Sequence, residues 1–316
     1  MHFFRRKLLS TLITLFLVSV LTFSIFQMLP GDPATLILGI DAQPSQIEAL
    51  RATMDLDKNP VVRYTLWATK ALQGDLGVSY KYQRPVSELI FSSINITAQL
   101  ATLSFLISLL IGIPIGILLA KRDKKRVIIP LSMFSQLGMA IPSFCVAIIL
   151  IEIFSVKLHV LPSLGYIPIG DSLIGNIRSL LLPSLSIATG GAAIIIRFLR
   201  SNIISEKNKD YVRTNRSIGL SENQILYTHI LRNSLIPVLT IFGILISDVL
   251  GGSIIIENVF SLPGIGKLIT SSITSRDLPL IQALVMYLSI IVIITNMIVD
   301  MLYGVIDPRI RMSGNE

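Results

Sequence analysis

Cysteine is nearly absent from this 316-residue sequence: Cys145 stands alone, so no internal disulfide can form. It lies within an apolar run, where a small packing side chain is the expected role. Histidine is almost as scarce. His2, His159 and His229 fall in separate segments with no neighbouring ligand cluster, and the nine methionines are scattered. A metal site built by this chain is therefore not expected, although a metal could still pass as a chelate. No phosphate-binding G-x-x-x-x-G-K-[ST], no G-x-S-x-G and no H-E-x-x-H is present. The expectation is a chain with no enzyme chemistry of its own and no bound cofactor. Charge is thin, at 15% of residues. Strand-like alternation of apolar and polar residues is missing too, which argues against a membrane β-barrel.

What the chain has instead is apolar length. Hydrophobic residues make up 52% of it, and mean hydropathy is +0.73. Runs of about 20 apolar residues cross a hydrocarbon layer as helices, because lipid offers the backbone no hydrogen-bond partner. Six spans are expected: Leu8–Leu29, Ile96–Leu119, Val127–Ile153, Leu180–Ile196, Leu235–Ile256 and Ile281–Tyr303. The fold class is thus an all-α integral membrane protein with six transmembrane helices. Lys and Arg set its orientation. Three lie in Arg5–Lys7, five in Lys121–Arg126, seven in Arg197–Arg232 and two in Arg309–Arg311, which is 17 of the 27. Those segments, and with them both termini, are expected on the cytoplasmic side of a multi-pass membrane protein. The net charge of +8 is then a matter of topology and gives no hint of nucleic acid binding.

The first span resembles a signal peptide only in its basic start. Its apolar run is about twice a signal h-region and no A-x-A site follows, so a retained anchor is expected. Residues 1–94 read as this anchor helix plus an extracytoplasmic lid, in which Pro44–Met54 and Val61–Leu72 are amphipathic stretches. Residues 95–306 read as a five-helix core with a basic loop at 197–234, and residues 307–316 as a cytoplasmic tail.

Within that loop, Asp210-Tyr211-Val212-Arg213-Thr214-Asn215-Arg216-Ser217-Ile218-Gly219-Leu220 reads as a short helix stopped at a glycine, where a helix C-terminus favours a left-handed residue. Ser221 and Gln224 have capping-box spacing for a second short helix. Arg232 is expected near that helix's C-terminal end, where a cation suits the dipole. Tyr211, Val212 and Ile218 among Arg213 and Arg216 make a mixed face suited to protein docking.

The same stretch resembles the "EAA" loop of ABC importer permeases, in the form found in the first (B-type) permease of the dipeptide/oligopeptide/nickel family. That family commonly shows D-Y-V-R-T-A-R-A-K-G-L and then R-N-A-L-I-P; here the residues are DYVRTNRSIGL and RNSLIP. Further shared stretches run in order: Gly31-Asp32-Pro33-Ala34, Gly74-Asp75-Leu76-Gly77-Val78-Ser79, Arg84-Pro85-Val86, Ile141-Pro142-Ser143-Phe144, Glu257 to Gly266, and Asp307-Pro308-Arg309. Asn215, Ser217 and Ile218 depart from the usual Ala, Ala and Lys, and Leu262 from a frequent Trp. The resemblance implies a type I ABC importer permease fold in a bacterial cytoplasmic membrane. It implies a second homologous permease, two ATP-binding subunits carrying ATP and magnesium, and an extracytoplasmic solute-binding protein. ATPase coupling would fall on Asp210, Tyr211, Val212, Arg213, Thr214, Arg216, Gly219 and Leu220. Di- or oligopeptides are the expected cargo, with nickel or a nickel chelate as the alternative. A stand-alone channel or secondary transporter is the competing class; it predicts inverted repeats, and none is visible.

Acids inside spans are costly and mark functional candidates. Asp248, ahead of Gly251-Gly252 where helices are expected to pack closely, is a candidate pore residue; Glu152 and Asp300 read as a snorkelling and a paired group. The external loop from Glu257, with Phe260, Pro263, Gly264 and Gly266, is the candidate gate, its glycines letting the backbone fold back.

Overall fold

The computed structural model describes residues 2–28, 33–38, 42–53, 57–122 and 128–306, all in helices, turns and one isolated bridge between Val78 and Pro85. The chain divides into two compact units: Met1–Asn95 with Gly264–Met297, and Ile96–Pro263 with Ile298–Glu316.

The first unit begins with α1 (His2–Met28), followed by the short helices α2 (Pro33–Leu38), α3 (Pro44–Thr53) and α4 (Pro60–Leu72). The start of α4 follows from its sequence. The Asn59 side chain accepts from the Val61 N–H at 3.0 Å, and Pro60 occupies the first helical position, where its missing N–H costs nothing. Tyr64 and Trp67 of α4 pack on Phe23 of α1 with ring centroids 5.5 and 5.9 Å apart. The Tyr64 hydroxyl pairs with Ser19 at 2.8 Å, and Arg63 donates to Gln27 at 2.7 Å. Elsewhere in this unit, Val86, Leu89 and Ile90 at the start of α5 (Val86–Lys121) form a core with α12 (Ile265–Thr274) and α13 (Leu278–Ile306). Beside it Asp277 is fully buried. Its carboxylate accepts from the Ser79 hydroxyl at 2.5 Å and from the Tyr80 and Lys81 N–H groups at 3.1 Å. Burial and that carboxylate push the Tyr80 hydroxyl up to about 12.

The second unit is built around α8 (Leu173–Lys207), which α6 (Ile128–Ala140), α7 (Ser143–Leu150) and α11 (Leu231–Val259) pack against. The α8 face is small-residue rich, with Ser184, Ser186, Ala188, Gly191, Ala192 and Ala193 buried, so backbones can approach closely, as membrane helices require in place of a hydrophobic drive. Two such approaches are at Gly112 and Gly116 of α5. A Cβ on Gly112 would come within 2.8 Å of Ile195, and one on Gly116 within 3.3 Å of Leu199. Among the described residues, the close packing expected at Gly251-Gly252 is not found: a Cβ on Gly251 would meet nothing within 4 Å, and one on Gly252 only Ser143 Oγ at 4.0 Å.

Four helices are long and apolar enough to cross a membrane, by length and composition among the described residues: Leu8–Gln27, Val86–Lys121, Leu173–Lys207 and Leu278–Ile298. They match the expected first, second, fourth and sixth spans. The expected fifth span lies within α11. The third, Val127–Ile153, is not continuous. Pro142 has no N–H and disfavours helical backbone at Ile141, so α6 stops at Ala140 and α7 starts afresh from an extended Pro142. After α7, residues Ile151–Lys157 widen into π-type turns. Val127 lies outside the described residues.

Candidate functional site

The basic loop folds as α9 (Asp210–Ser217), two residues after α8 ends. Its C-terminus is a Schellman motif. Gly219 adopts φ +88°, its N–H donates to Arg216 C=O at 3.0 Å, and the Leu220 N–H reaches back to Asn215 C=O at 3.2 Å. Four residues separate α9 from the next helix, α10 (Glu222–Gln224). There the Ser221 hydroxyl accepts from the Gln224 N–H at 3.3 Å while the Gln224 side chain accepts from the Ser221 N–H at 3.1 Å, the reciprocal pair expected of a capping box. Arg216 closes the turn with two hydrogen bonds to Glu222, at 2.6 and 3.2 Å. That pair raises the guanidinium and holds the Glu222 carboxyl below the usual carboxylate range.

The helix after Gly219 is not the isolated short one expected. Glu222–Gln224 continues through a π-type stretch, Ile225–Ile230, directly into α11. Arg232 consequently sits near the start of a long helix, away from any C-terminus. No glycine or proline interrupts Glu222 to Leu235, so nothing stops the helix there.

The faces of α9 also sort differently from the expected mixed surface. Val212 is fully buried among Leu199 and Ile203 of α8 and Ile225, Leu226, Ile230 and Val238 beyond the turn, with Ala120 of α5. Tyr211 is half-buried: its hydroxyl donates to Glu206 at 2.8 Å and accepts from Asn233 at 3.4 Å, and burial, then the carboxylate, pushes that hydroxyl up. Leu220 packs on the same cluster. Outward point Asp210, Arg213, Thr214, Arg216, Ser217 and Ile218, all exposed, with Arg213 and Asp210 3.6 Å apart as a solvent-facing pair. Glu206, Asn233 and Glu222 hold the loop and were not singled out from the sequence. Only the placement of Glu222, three residues past the turn glycine, was a usable signal. At the foot of α8, Lys207 donates to Ala120 C=O at 2.5 Å, a cation on the last carbonyls of α5.

At the other candidate, the corner after α11, Glu257 is in the last turn of the helix and not in a loop. It is fully buried and accepts from the Thr97 hydroxyl at 2.7 Å. Nothing breaks the run Ile254 to Val259, so the helix extends past the expected end at Ile256. Phe260 and Leu262 are buried in one cluster with Leu100, Leu180 and Leu182. The turn is made by Ser261 at φ +55°, with Leu262 N–H to Glu257 C=O at 2.8 Å and Ser261 N–H to Asn258 C=O at 3.3 Å. The glycines do not make it: Gly264 is extended, φ −94°, and starts α12, while Gly266 is buried inside that helix. Glu257, Phe260 and the exposed Pro263 belong to the second unit, Gly264 and Gly266 to the first. The side chains of Asp248 and Asp300 lie outside the described residues, as does Asp307-Pro308-Arg309. Glu152 is exposed and pairs with Lys157 at 3.4 Å. Among the described residues, no three His, Cys, Asp or Glu side chains gather as metal ligands.

α9 is thus a short helix stopped by a left-handed glycine, with an exposed polar outer face and a buried inner anchor at Val212. Residues 112–312 match the family described as binding-protein-dependent transport system inner membrane component, and residues 1–101 match the N-terminal region of such membrane components. An oligopeptide transport system permease protein of Bacillus subtilis is 37% identical over 313 residues, covering 98% of this chain and 99% of that one. A glutathione transport system permease protein of Escherichia coli is 38% identical over 311 residues, covering 97% of each. The solved methionine ABC transporter MetNI, in inward-facing conformations, shares the fold with a TM-score of 0.58 at 17% identity, over 69% of this chain and 96% of that one. Helix order, capped loop and these matches together place the chain in the family of inner membrane components of binding-protein-dependent transport systems, as an ABC importer permease and not an enzyme.

Proposed function

We propose that α9 and its glycine turn are the element through which a separate ATPase subunit drives this permease, and that the cargo is a peptide. The observation that carries the first part is the two-sidedness of α9. Its outer face is exposed and polar, while Val212 on its inner face is locked among residues of α5, α8 and α11. A push on the outer face therefore reaches three helices at once. For ATP to shift pore access, the ATPase must bind α9 differently in the two pore states, since equal affinity would shift nothing. ATP and magnesium belong to the partner. A second permease, two ATPase subunits and a solute-binding protein on the outer face complete the machine in this reading, with both termini of this chain cytoplasmic. The corner from Glu257 to Gly266, with Ser261 and Pro263 exposed, is its external gate or delivery contact. The names of the relatives, peptide, oligopeptide and glutathione, support a peptide cargo over nickel.

The test is Ile218→Asp. Ile218 is 69% exposed and outside the buried cluster, so the chain should insert normally. Co-purification of the ATPase and uptake of a labelled peptide should both fall by about ten-fold, a loss of one well-packed apolar contact. Unchanged ATPase co-purification would refute the docking role. Intact docking with no peptide uptake, even by the parent chain, would instead refute the cargo.

A further inference from the structure

A groove of about 760 Å³ opens between α6 and α8 in the second unit, lined by Ser135, Gln136 and Met139 on one side and Arg197, Arg200 and Ser201 on the other. Its chemistry is one-sided. Two guanidinium groups sit one turn apart on one face of α8, hydroxyls and an amide flank them, and none of the described lining residues is a carboxylate. Arg offers planar paired donors that match a phosphate, and holds its charge at any physiological pH.

Its depth follows from the sequence of α8. Between Arg178 and Arg197 run 18 residues without a charge, Ser179 to Ile196. At about 1.5 Å per residue they cover about 27 Å, close to the thickness of a hydrocarbon core. Arg197 and Arg200 thus mark the level at which hydrocarbon gives way to headgroups, and Met139 with Ile196 gives the groove an apolar wall on its core side.

We propose that this groove is a binding site for an anionic phospholipid, its phosphate held by Arg197 and Arg200 with help from Ser135, Gln136 and Ser201, and the start of its acyl chains lying along the apolar wall. Basic pockets between membrane helices are where such headgroups bind. The site is separate from the exposed face of α9 and does not depend on how that face is used.

The experiment is native mass spectrometry of the purified full-length chain in mild detergent, titrated with phosphatidylglycerol or phosphatidylcholine. The parent should retain phosphatidylglycerol preferentially. The Arg197→Gln/Arg200→Gln double variant should lose roughly thirty-fold in affinity, on the order of five-fold per guanidinium near an anionic surface. Arg197→Lys/Arg200→Lys should keep most of the preference, and Arg178→Gln, at the opposite end of α8, all of it. Equal retention of the two lipids by the parent, or undiminished phosphatidylglycerol binding by the double Gln variant, would overturn the proposal. Displacement of the lipid by excess inorganic phosphate would overturn it too, assigning the groove to free anions. Should the double Gln variant fail to purify as a single species, the lipid preference of the parent, its resistance to phosphate and the Lys variant decide the matter.

Discussion

Two turns of the second unit, the one at Gly219, which the proposed orientation puts on the cytoplasmic side, and the corner at Ser261, which it puts on the outer side, close their helices with the same hydrogen-bond pattern by opposite means. At Gly219 the left-handed residue is glycine, it is exposed, and a Cβ there would meet nothing within 4 Å. The turn itself is closed by local means, a capping box, an Arg216–Glu222 pair and a backbone that only glycine adopts cheaply, while Val212 and Leu220 on either side anchor it to the helices beneath. At Ser261 a side-chain-bearing residue is held at φ +55°, a conformation that costs roughly 1–2 kcal/mol. Fully buried Phe260 and Leu262 on either side offset that cost. The backbone of the Gly219 turn is specified by its own residues, that of the Ser261 corner by what surrounds it. A turn specified locally can move as a body against a partner; one specified by burial moves only if its core opens.

If that contrast holds, the largest effect belongs to Phe260→Ala. Emptying a fully buried aromatic site should destabilise the protein by about 3–5 kcal/mol, read as a lower midpoint in thermal unfolding of the detergent-solubilised protein. A shift near zero would mean that the outer corner is not held by burial. Gly219→Val comes next and tests the other side. The added side chain clashes with nothing, so its cost is the left-handed backbone alone, roughly 1–2 kcal/mol, too little to prevent insertion. It should instead distort the turn, so that ATP hydrolysis by the assembled importer continues while peptide uptake falls. Normal uptake by Gly219→Val would break the comparison. Ser261→Gly sharpens it from the opposite direction. Relief of backbone strain, less the extra entropy of a glycine in the unfolded chain, should leave a gain of under about 1 kcal/mol, measurable as a slightly raised unfolding midpoint.

The same contrast explains what could be read from the sequence. Gly219, Ser221 and Gln224 announce themselves because their information is local: residue type and spacing suffice. Helix α4 is legible for the same reason, through Asn59-Pro60. The outer corner misleads because its glycines, Gly264 and Gly266, advertise a turn that Ser261 makes, and because Glu257 looks like a loop acid until Thr97, 160 residues away, is seen donating to it. Val212 could not be assigned an inward side before α8 and the Ile225–Ile230 stretch were placed. Asp277, which gathers the 79–81 segment 198 residues earlier in the chain, carries no local mark at all. The Gly112-Ile113-Pro114-Ile115-Gly116 spacing is the local mark of a close-packing face, and the paired glycines at Gly251-Gly252 resemble one although Ser143 Oγ, at 4.0 Å from a Cβ on Gly252, is the nearest described neighbour.

The smallest effect probes how much of the local specification is electrostatic. Glu222 has its carboxyl held below the ordinary value by Arg216, so its share of stability is fully present above the unfolded pKa of about 4.3 and is lost as pH falls through the lower folded value. Tyr211 runs the other way. Its hydroxyl is raised by burial and by Glu206, so its contribution is complete below about 10 and disappears as pH rises through the raised value. The turn should therefore be indifferent to pH across the neutral range and loosen at both extremes. Limited proteolysis at the Gly219 turn, followed against pH, reads this directly. In Glu222→Gln the acid limb should flatten while the alkaline limb stays. The overall cost should be no more than about 1 kcal/mol, because the pair is open to solvent. An acid limb unchanged in Glu222→Gln would shift the specification of the turn from its ion pair to Gly219 and the capping box alone.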